Sequence, residues 1–334
     1  MEKISSRFEL KRDLGTWAAA SIVVGTVIGS GIFLVPQSMI QRVGTVHMVF
    51  FVWIFGGLLS LAGALSYAEL AAAMPEAGGE YVYLREAYGP MWGFLYSWTQ
   101  MWVAKSGSIA TLATGFFYYL TNFFPALDQV FYRLPLPIGP HGGPLEFRYG
   151  QLFAMALILS LAWLNYFGVK LGGEVQVAVT VLKVALIAFI IIVGLGFGTS
   201  PAAVKAAPSV PLTSAGFFAA LVAALWAYDG WNNVSMVASE IRQPQRNLPR
   251  ALIWGTIAVI AIYLLANSAY FHVLSAGEVA GAPRVAAEMM GRILGRAGAG
   301  AVSIAAMISI FAALNGSILS GSRVPYAAAR DGYF

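Results

Sequence analysis

Long apolar stretches recur along the whole chain, and they limit its fold more than any other feature. A helix needs about 20 residues to cross the roughly 30 Å hydrocarbon core of a bilayer. By that measure we count eight candidate spans, at residues 14–41, 46–73, 89–120, 150–168, 174–197, 214–239, 250–273 and 298–323. The 334 residues are 59% hydrophobic and 10% charged, which is too apolar for a soluble protein of this size. The sequence therefore predicts an all-α polytopic membrane protein.

The distribution of Lys and Arg predicts how the spans are oriented. With a cytoplasmic N-terminus, eleven of the 20 Lys and Arg residues fall on cytoplasmic loops and seven on outer loops. The compact loop 242–250 contributes most, because short loops carry the strongest positive-inside bias. Residues 1–13 are charged with both signs and lack a short apolar core, so we expect a cytoplasmic segment there and no cleaved signal peptide.

The first span contains an interruption near mid-depth. Its segment Val24–Phe33 includes the run Gly29-Ser30-Gly31, and glycine weakens helix interiors. Irregular backbone at this depth is tolerated only where it is buried in protein or lines a cavity. We interpret the run as a break whose free N–H groups face a ligand, with the next half-helix directing its positive end at an anion. The alternative is that Gly25 and Gly29 form a small-residue face for helix packing.

A second interruption lies in the sixth span, at residues 225–233, and it contains Asp229-Gly230. Two interrupted helices at corresponding positions of two halves indicate the binding site of a secondary transporter. An ionisable residue at this depth is costly and commonly functional. Two interpretations of Asp229 are open: it recognises a cationic substrate group, or it binds backbone N–H groups that the break sets free.

Composition excludes several other classes of protein. The chain has no cysteine, so these residues form no disulfide and no thiolate metal site. His47, His141 and His272 are scattered, and no metal-ligand spacing, nucleophile elbow or phosphate-binding loop occurs. We therefore predict no enzyme activity, no cofactor and no metal. No charged ring or filter motif indicates a channel. The net charge of +5 fits loops at an anionic leaflet and does not require nucleic acid.

Motifs in order along the chain resemble the amino acid–polyamine–organocation superfamily, and most closely its L-amino-acid transporter branch. They lie at Val24–Pro36, Tyr67–Tyr81, Ala227–Arg250 and Arg323–Gly332. The resemblance implies a LeuT-like inverted-repeat fold with broken helices 1 and 6. Residues 14–197 would form the first repeat and 214–334 an incomplete second repeat. Because the last two helices of the second repeat are missing, we expect a fragment rather than a chain completed by a partner.

One stretch of the second repeat is too charged to span the membrane. Residues 275–295 are expected to form an outer amphipathic helix with Val285, Met289, Ile293 and Leu294 on its apolar side. Such a helix acts as a lid over an outer vestibule or as a passive connector.

The resemblance also implies a site for an amino acid between the two breaks. The substrate carboxylate would meet backbone N–H groups at Ser30, Gly31 and Ile32, and its amino group would meet carbonyls near Val27 and Ile28 and along Trp226–Asp229. Trp226 matches the aromatic residue that closes over the substrate, and Asn232 would be a further polar contact. The full set of expected binding residues is Val27, Ile28, Gly29, Ser30, Gly31, Ile32, Trp226, Ala227, Tyr228, Asp229 and Asn232.

Charged residues within or beside the spans have implied roles of their own. Lys183 matches a family lysine near the first broken helix, where it would act as a tethered cation in place of sodium or as a proton carrier. Its alternative is a lysine that extends to the membrane interface. Lys105, in the third span, lines the path or pairs with an acid. Glu240 would pair with Arg246 or Arg250 to latch an inner gate, or form plain surface ion pairs of little energetic value.

These features together predict a Na⁺-independent transporter of L-amino acids that works by alternating access. Exchange is the preferred mode, with proton symport or a non-transporting sensor or fragment as alternatives. The expected partners are the amino acid and the lipid bilayer. Without cysteine, the disulfide-linked heavy subunit of the family's eukaryotic members is excluded, and we expect a bacterial inner-membrane protein.

Overall fold

The structure is a computed structural model, and it describes residues 10–136, 143–167, 169–198 and 211–334. Most of residues 1–13, the end of the predicted fourth span at residue 168, and His141 lie outside the described residues. The helices in chain order are α1 (Thr16–Val27), α2 (Gly31–Val43), α3 (Val46–Ala73), α4 (Glu80–Tyr88), α5 (Pro90–Thr99), α6 (Lys105–Leu120), α7 (Tyr149–Tyr166), α8 (Val169–Phe197), α9 (Ser214–Tyr228), α10 (Asn233–Met236), α11 (Pro244–Val273), α12 (Ala276–Gly281), α13 (Val285–Gly321) and α14 (Arg323–Arg330).

Membrane-length helices account for about half of the chain, and their presence agrees with the sequence prediction. Among the described residues, α3, α7, α8, α11 and α13 are each long and apolar enough to cross a membrane, and the bent pair α1–α2 makes up to six spans. The predicted third span is instead split by a π-helical turn at Gln100–Ala104, which joins α5 to α6. The predicted sixth span ends its regular helix early, at Tyr228. The count of eight spans and the repeat boundaries remain predictions.

The loop between the third and fourth predicted spans contains strand structure, which an all-α prediction does not include. Strands β1 (Val130–Leu134) and β2 (Leu145–Arg148) pair antiparallel. They contain β-branched or aromatic residues of the kind that suits a pleated surface, namely Val130, Phe131, Tyr132 and Phe147. Arg148 bonds Asp128 at 2.7 Å and Glu146 at 2.9 Å, which ties the hairpin to the start of α7.

The segment 275–295 differs from the single amphipathic helix that its sequence predicts. It forms α12 and the first turns of α13, and α13 continues through a kink at Gly295, where φ is 65°. Val285 and Met289 are fully buried, whereas Leu294 is 48% exposed. The apolar face is therefore shorter than expected, because the kink turns the helix away after Ile293.

The packing of the long helices brings the two interruptions together. Helix α11 packs against α3 and α1, and α13 packs against α8 and α6. The rings of Trp53, Tyr228 and Tyr263 pack against one another edge to face or tilted in the core between these helices, with ring centroids 5.1 to 5.6 Å apart. Large apolar side chains such as Leu58, Val222 and Trp254 remain more than half exposed on the outer surface, as expected for a face in contact with lipid.

Candidate functional site

A cavity of about 310 Å³ lies between the two helix interruptions. A larger one, of about 380 Å³, lies near Arg85 and Asp331 at the end of the molecule, away from both interruptions. We take the first as the functional site because irregular backbone from two helices meets there. It is lined by Thr26, Val27, Gly29, Ser30, Gly31, Lys105, Ser108, Thr111, Leu112, Trp226, Ala227, Asp229, Gly230, Asn233 and Ser317.

The first interruption consists of residues 28–30, where the axis bends by 40° between α1 and α2. Helix α2 begins at Gly31, and the Phe33 N–H donates to Ser30 O at 3.1 Å, which leaves the N–H groups of Gly31 and Ile32 without an acceptor inside the helix. Ser30 precedes them, and its side chain makes no capping hydrogen bond. This end of α2 therefore offers N–H donors and a positive dipole end to an anion in the cavity.

Close approach of the two interruptions requires glycine at position 31. A Cβ atom there would lie 2.8 Å from the Ala227 Cβ, well inside van der Waals contact. The same construction at Gly29 meets nothing nearer than 3.6 Å. At Gly25 it would clash with Gln176 and Thr180 of α8. The alternative of a small-residue packing face formed by Gly25 and Gly29 therefore applies to Gly25 and not to Gly29.

The second interruption follows α9. Asp229 is extended, and Gly230 has φ of 115°, a conformation that L side chains rarely adopt. The Thr26 hydroxyl lies 2.6 Å from Ile22 O in its own helix and 2.8 Å from Gly230 O, so its one proton is shared between α1 and the second interruption. The Asp229 side chain lines the cavity, and its carboxylate forms no hydrogen bond or ion pair with any described residue. In this conformation Asp229 therefore does not bind the backbone N–H groups that the break sets free, which was one of its two interpretations.

Several carbonyls expected to receive the substrate amino group already accept protein hydrogen bonds. The Tyr263 hydroxyl lies between Val27 O, at 3.1 Å, and Ala227 O, at 2.8 Å. The Ser309 hydroxyl donates to Ile28 O at 2.9 Å. Ile28 O also accepts from Lys183 Nζ and Val27 O from the Gly29 N–H, so both lone pairs of these two carbonyls are engaged. Ala227 O keeps a second lone pair for a ligand. Sequence reasoning missed Tyr263 and Ser309, whose only signal is a hydroxyl in the middle of an apolar span.

Lys183 is fully buried between α1, α8 and α13. Its Nζ donates to the carbonyls of Gly25 at 2.8 Å, Ile28 at 2.5 Å and Ser309 at 3.1 Å. The alternative of a lysine extending to the interface is therefore wrong. The ammonium sits at the C-terminal end of α1, where unpaired carbonyls favour a cation. Its role in coupling stays a prediction.

The polar contact with the cavity that is predicted for Asn232 is made instead by the next residue, Asn233. Asn232 donates its amide to Glu80 Oε1, and Asn233 lines the cavity and accepts a hydrogen bond from Lys105 Nζ. Consecutive helical residues point about 100° apart, so a shift of one residue at the start of α10 decides which amide faces the cavity. Lys105 directly follows the π-helical turn, and it lines the path as one of the two expectations states.

Other predicted binding residues face the core with their side chains. Ile28 and Ile32 are fully buried, but the contacts expected of them involve backbone atoms that border the interruption. Tyr228 is 1% exposed, and its hydroxyl donates to Trp53 O at 3.1 Å, so its side chain does not reach the cavity. Trp226 lines the cavity and is 50% exposed, and its gating role stays a prediction.

The predicted pair between Glu240 and Arg246 or Arg250 is wrong. Glu240 pairs with Arg323 at 2.7 Å, with side-chain exposures of 1% and 13%. Gln243, with φ of 46°, turns the chain before α11, and Arg246 and Arg250 are exposed on that helix. The sequence predicts this ion pair within one loop, but the structure forms it between the end of the sixth span and α14.

Comparison with known proteins agrees with this arrangement. The family model for amino acid permeases matches residues 14–334. The serine/threonine exchanger SteT of Bacillus subtilis is 35% identical over 96% of this chain and 68% of its own length. The human b(0,+)-type amino acid transporter 1 is 34% identical over 97% of this chain and 64% of its own. The mouse Asc-type amino acid transporter 1 is 31% identical over 98% and 60%.

The chain thus spans about two thirds of the length of these relatives, which are transporters and not enzymes. The apolar helices and the matched family identify an integral membrane protein. The family expected from the motifs is confirmed. The chain belongs to the amino acid permease family of the amino acid–polyamine–organocation superfamily.

Proposed function

We propose that this chain is the substrate-binding part of a Na⁺-independent transporter that moves L-amino acids by alternating access. The observation that carries the proposal is the cavity between two broken helices, with N–H donors from the start of α2 and carbonyls from the end of α9. A zwitterion suits this pair of helix ends, since one favours the carboxylate and the other the ammonium group.

Substrate orientation follows from the same geometry. The α-carboxylate binds the N–H groups of Gly31 and Ile32, and the α-amino group binds carbonyls next to the second interruption. The substrate side chain then extends toward Lys105, Asp229 and Asn233, which line the cavity. Asp229, exposed and without a hydrogen-bonding partner among the described residues, is available to a cationic side chain. Trp226 closes over the bound amino acid.

Independence of sodium rests on Lys183. Its ammonium occupies a group of three backbone carbonyls at the break of the first span. A second cation there would meet like charge at short distance, which is unfavourable in a dry interior. Exchange is the preferred mode, and the similarity to a serine/threonine exchanger supports it. Proton symport through Lys183 is the alternative, and a non-transporting sensor is the second.

We propose that the protein lies in a bacterial inner membrane. Its N-terminus is in the cytoplasm, in line with the positive-inside bias of its loops. Some relatives carry names of subunits, such as the mouse large neutral amino acids transporter small subunit 2. The 334 residues contain no cysteine, so any partner of this part of the protein binds without a disulfide.

Uptake into proteoliposomes tests the proposal. Vesicles with and without internal unlabelled amino acids receive a labelled amino acid mixture, with sodium and pH varied. Exchange predicts uptake that requires internal amino acid and ignores sodium. Lys183→Ala should lower uptake about tenfold or more, because hydrogen bonds to a charged group are worth about 1.5–3 kcal/mol each. Lys170→Ala, an exposed lysine on the same helix, serves as the control.

Other outcomes discriminate among the alternatives. Uptake driven by a pH gradient and lost in Lys183→Ala would favour proton symport. A requirement for sodium would refute the tethered-cation role. Binding of labelled amino acid without uptake would identify a sensor or a fragment that needs the remaining length of its relatives.

A further inference from the structure

Glu80 is a buried carboxyl group that the proposed cycle does not use. It begins α4, outside the membrane-spanning helices, and it is 6% exposed. The two residues before it, Gly78 and Gly79, have φ of 109° and 55° and form a tight turn that directs Glu80 inward. Residues other than glycine are strained in such backbone conformations, so the turn depends on glycine at both positions.

This turn is docked on the second half of the sixth span. The Gly78 N–H donates to Met236 O at 2.9 Å. A Cβ atom on Gly79 would lie 2.6 Å from Ser235 Oγ, so the two backbones are in close contact. The Asn232 amide donates to Glu80 Oε1. Three contacts therefore hold the turn against residues 232–236, and Glu80 is enclosed by the junction. We name this contact the turn–span junction.

The surroundings of the carboxyl group are nearly neutral. Glu80 Oε2 accepts no hydrogen bond from any described residue. The hydroxyls of Tyr67 on α3 and Tyr96 on α5 are hydrogen-bonded to the carboxyl group, and Tyr83 on α4 itself interacts with it electrostatically. Among the described residues, the ammonium group that acts on it belongs to Lys105 on α6. Burial raises the pKa of Glu80 above its ordinary value, although the Asn232 amide, Tyr96 and Lys105 act in the opposite direction.

An ionised carboxylate is expensive in this position. Removing a charge from water costs several kcal/mol unless a partner and hydrogen bonds compensate for it. The Asn232 amide and the hydroxyls of Tyr67 and Tyr96 bond Glu80, but no described cation forms an ion pair with it. The Lys105 ammonium donates instead to Asn233 on the cavity side. Protonation removes the charge and converts Oε2 into a hydroxyl donor. Tyr83 lies on the same helix, and its buried hydroxyl interacts electrostatically with Glu80 and is hydrogen-bonded to Ser235.

We propose that Glu80 binds a proton while the turn–span junction is closed and releases that proton to water when the junction opens. The step is a simple ionisation, in which the O–H bond of the carboxyl group breaks and water accepts the proton. The inference rests on the proposed alternating access, because opening on this side of the membrane is what exposes the junction. It adds a proton-binding group that is separate from Lys183.

Neighbouring amides connect this group to the cavity. Asn232 bonds Glu80, and Asn233, the next residue, bonds Lys105 in the cavity wall. Movement of α10 therefore changes both contacts together. A ligand that alters the Lys105–Asn233 bond shifts the balance between the closed and open junction, and the proton bound at Glu80 shifts the same balance.

The sign of the pH dependence follows from linkage. An acid whose pKa is higher in the closed form stabilises that form at low pH, and the stabilisation is lost as the pH rises through the higher pKa. Between the two pKa values the open fraction grows by up to about tenfold per pH unit. Opening on the Glu80 side should therefore increase from acidic to neutral and alkaline pH.

Thiol labelling measures this opening directly, because the sequence contains no cysteine. Ser235 is fully buried in the junction, so Ser235→Cys places a single thiol there. Its labelling by a membrane-impermeant reagent is measured in proteoliposomes between pH 5.5 and 8. The rate is divided by that of Gln245→Cys, an exposed position on the same side, because the thiolate fraction itself rises with pH.

We expect the normalised rate of Ser235→Cys to rise with pH over this range. Addition of Glu80→Gln, which keeps the shape and cannot ionise, should give a slow rate with no slope. Glu174 is an exposed carboxylate near the start of α8. Addition of Glu174→Gln should leave the slope unchanged. A parent without a slope, or a slope that persists in Glu80→Gln, would overturn the proposal.

Infrared spectroscopy gives a second measurement that needs no opening. At neutral pH the parent protein should show the carbonyl stretch of a protonated carboxyl group, and Glu80→Gln should lack it. Absence of that band in the parent would also overturn the proposal. Failure of the transport function alone would look different: uptake would be absent while the labelling slope and the infrared band remained.

Discussion

Substituting Gly31 by alanine tests whether the two interruptions must touch for a ligand to bind. The new Cβ would lie 2.8 Å from the Ala227 Cβ and 3.1 Å from its Cα, against an ordinary carbon–carbon contact of about 3.5–4.0 Å. The start of α2 must therefore move away from α9 by several tenths of an ångström or more. Overpacking of this kind costs about 1–3 kcal/mol. If that cost falls on the bound form, the affinity drops by about 5- to 150-fold.

Equilibrium binding of a labelled amino acid to the purified protein measures the effect, with thermal unfolding followed in parallel. Gly29→Ala is the matched control, since its Cβ meets nothing nearer than 3.6 Å in the same short segment. Gly31→Ala should lose affinity while Gly29→Ala retains most of it. Equal affinity in Gly31→Ala and the parent, or an equal loss in both variants, would refute the close-approach argument.

Two further substitutions test contacts that only the structure identifies. Arg323→Ala leaves Glu240 buried without its ion-pair partner and should lower the free energy of unfolding by about 3–5 kcal/mol, whereas the exposed Arg246→Ala should change it by no more than about 0.5 kcal/mol. Thermal or denaturant unfolding compares them, and similar effects would contradict the assignment. Tyr263→Phe removes the hydroxyl that joins the two interruptions and should cost about 1–3 kcal/mol of stability. An unchanged unfolding midpoint in Tyr263→Phe would show that the hydroxyl does not hold the interruptions together.

The contacts around the interruptions hold the first and sixth predicted spans in one arrangement. Thr26 and Tyr263 bond the first break to the second, so α1 and the end of α9 are coupled directly. At the end of the molecule near the N-terminal segment, Arg85 pairs with Asp331 at 2.5 Å. Leu14 N donates to Glu240 O at 2.9 Å. Under the proposed alternating access, we expect these end contacts to exchange while the contacts between the breaks persist.

The candidate site was partly accessible from sequence because its signal is local. Glycine runs and an acid inside apolar spans mark both interruptions, and seven of the eleven predicted binding residues line the cavity. The choice between Asn232 and Asn233 was not accessible, because it depends on where a four-residue helix begins. Tyr263 was missed for a related reason. A tyrosine in an apolar span has no pattern that distinguishes a core residue from one that bonds a broken helix.

Pairing of charges shows the same limit. The sequence places Glu240 close to Arg246 and Arg250, and proximity along the chain favoured a local ion pair. The structure instead pairs Glu240 with Arg323, which lies more than 80 residues later. Long-range pairing depends on which helix ends meet, and that is decided by the packing of the spans against one another.

The sequence alone determined the membrane class, most of the helical spans and the two points at which helices break, because hydrophobic length and glycine content act over short stretches of chain. It also indicated that Lys183 is unusual. Only the tertiary structure decided which partners satisfy the polar groups that those breaks and buried charges leave open. Lys183 ends against three carbonyls, Glu80 ends in a nearly neutral enclosure, and Gly31 ends against Ala227. Each of these outcomes depends on the distance between segments far apart in sequence, and only the packing of the folded chain sets that distance.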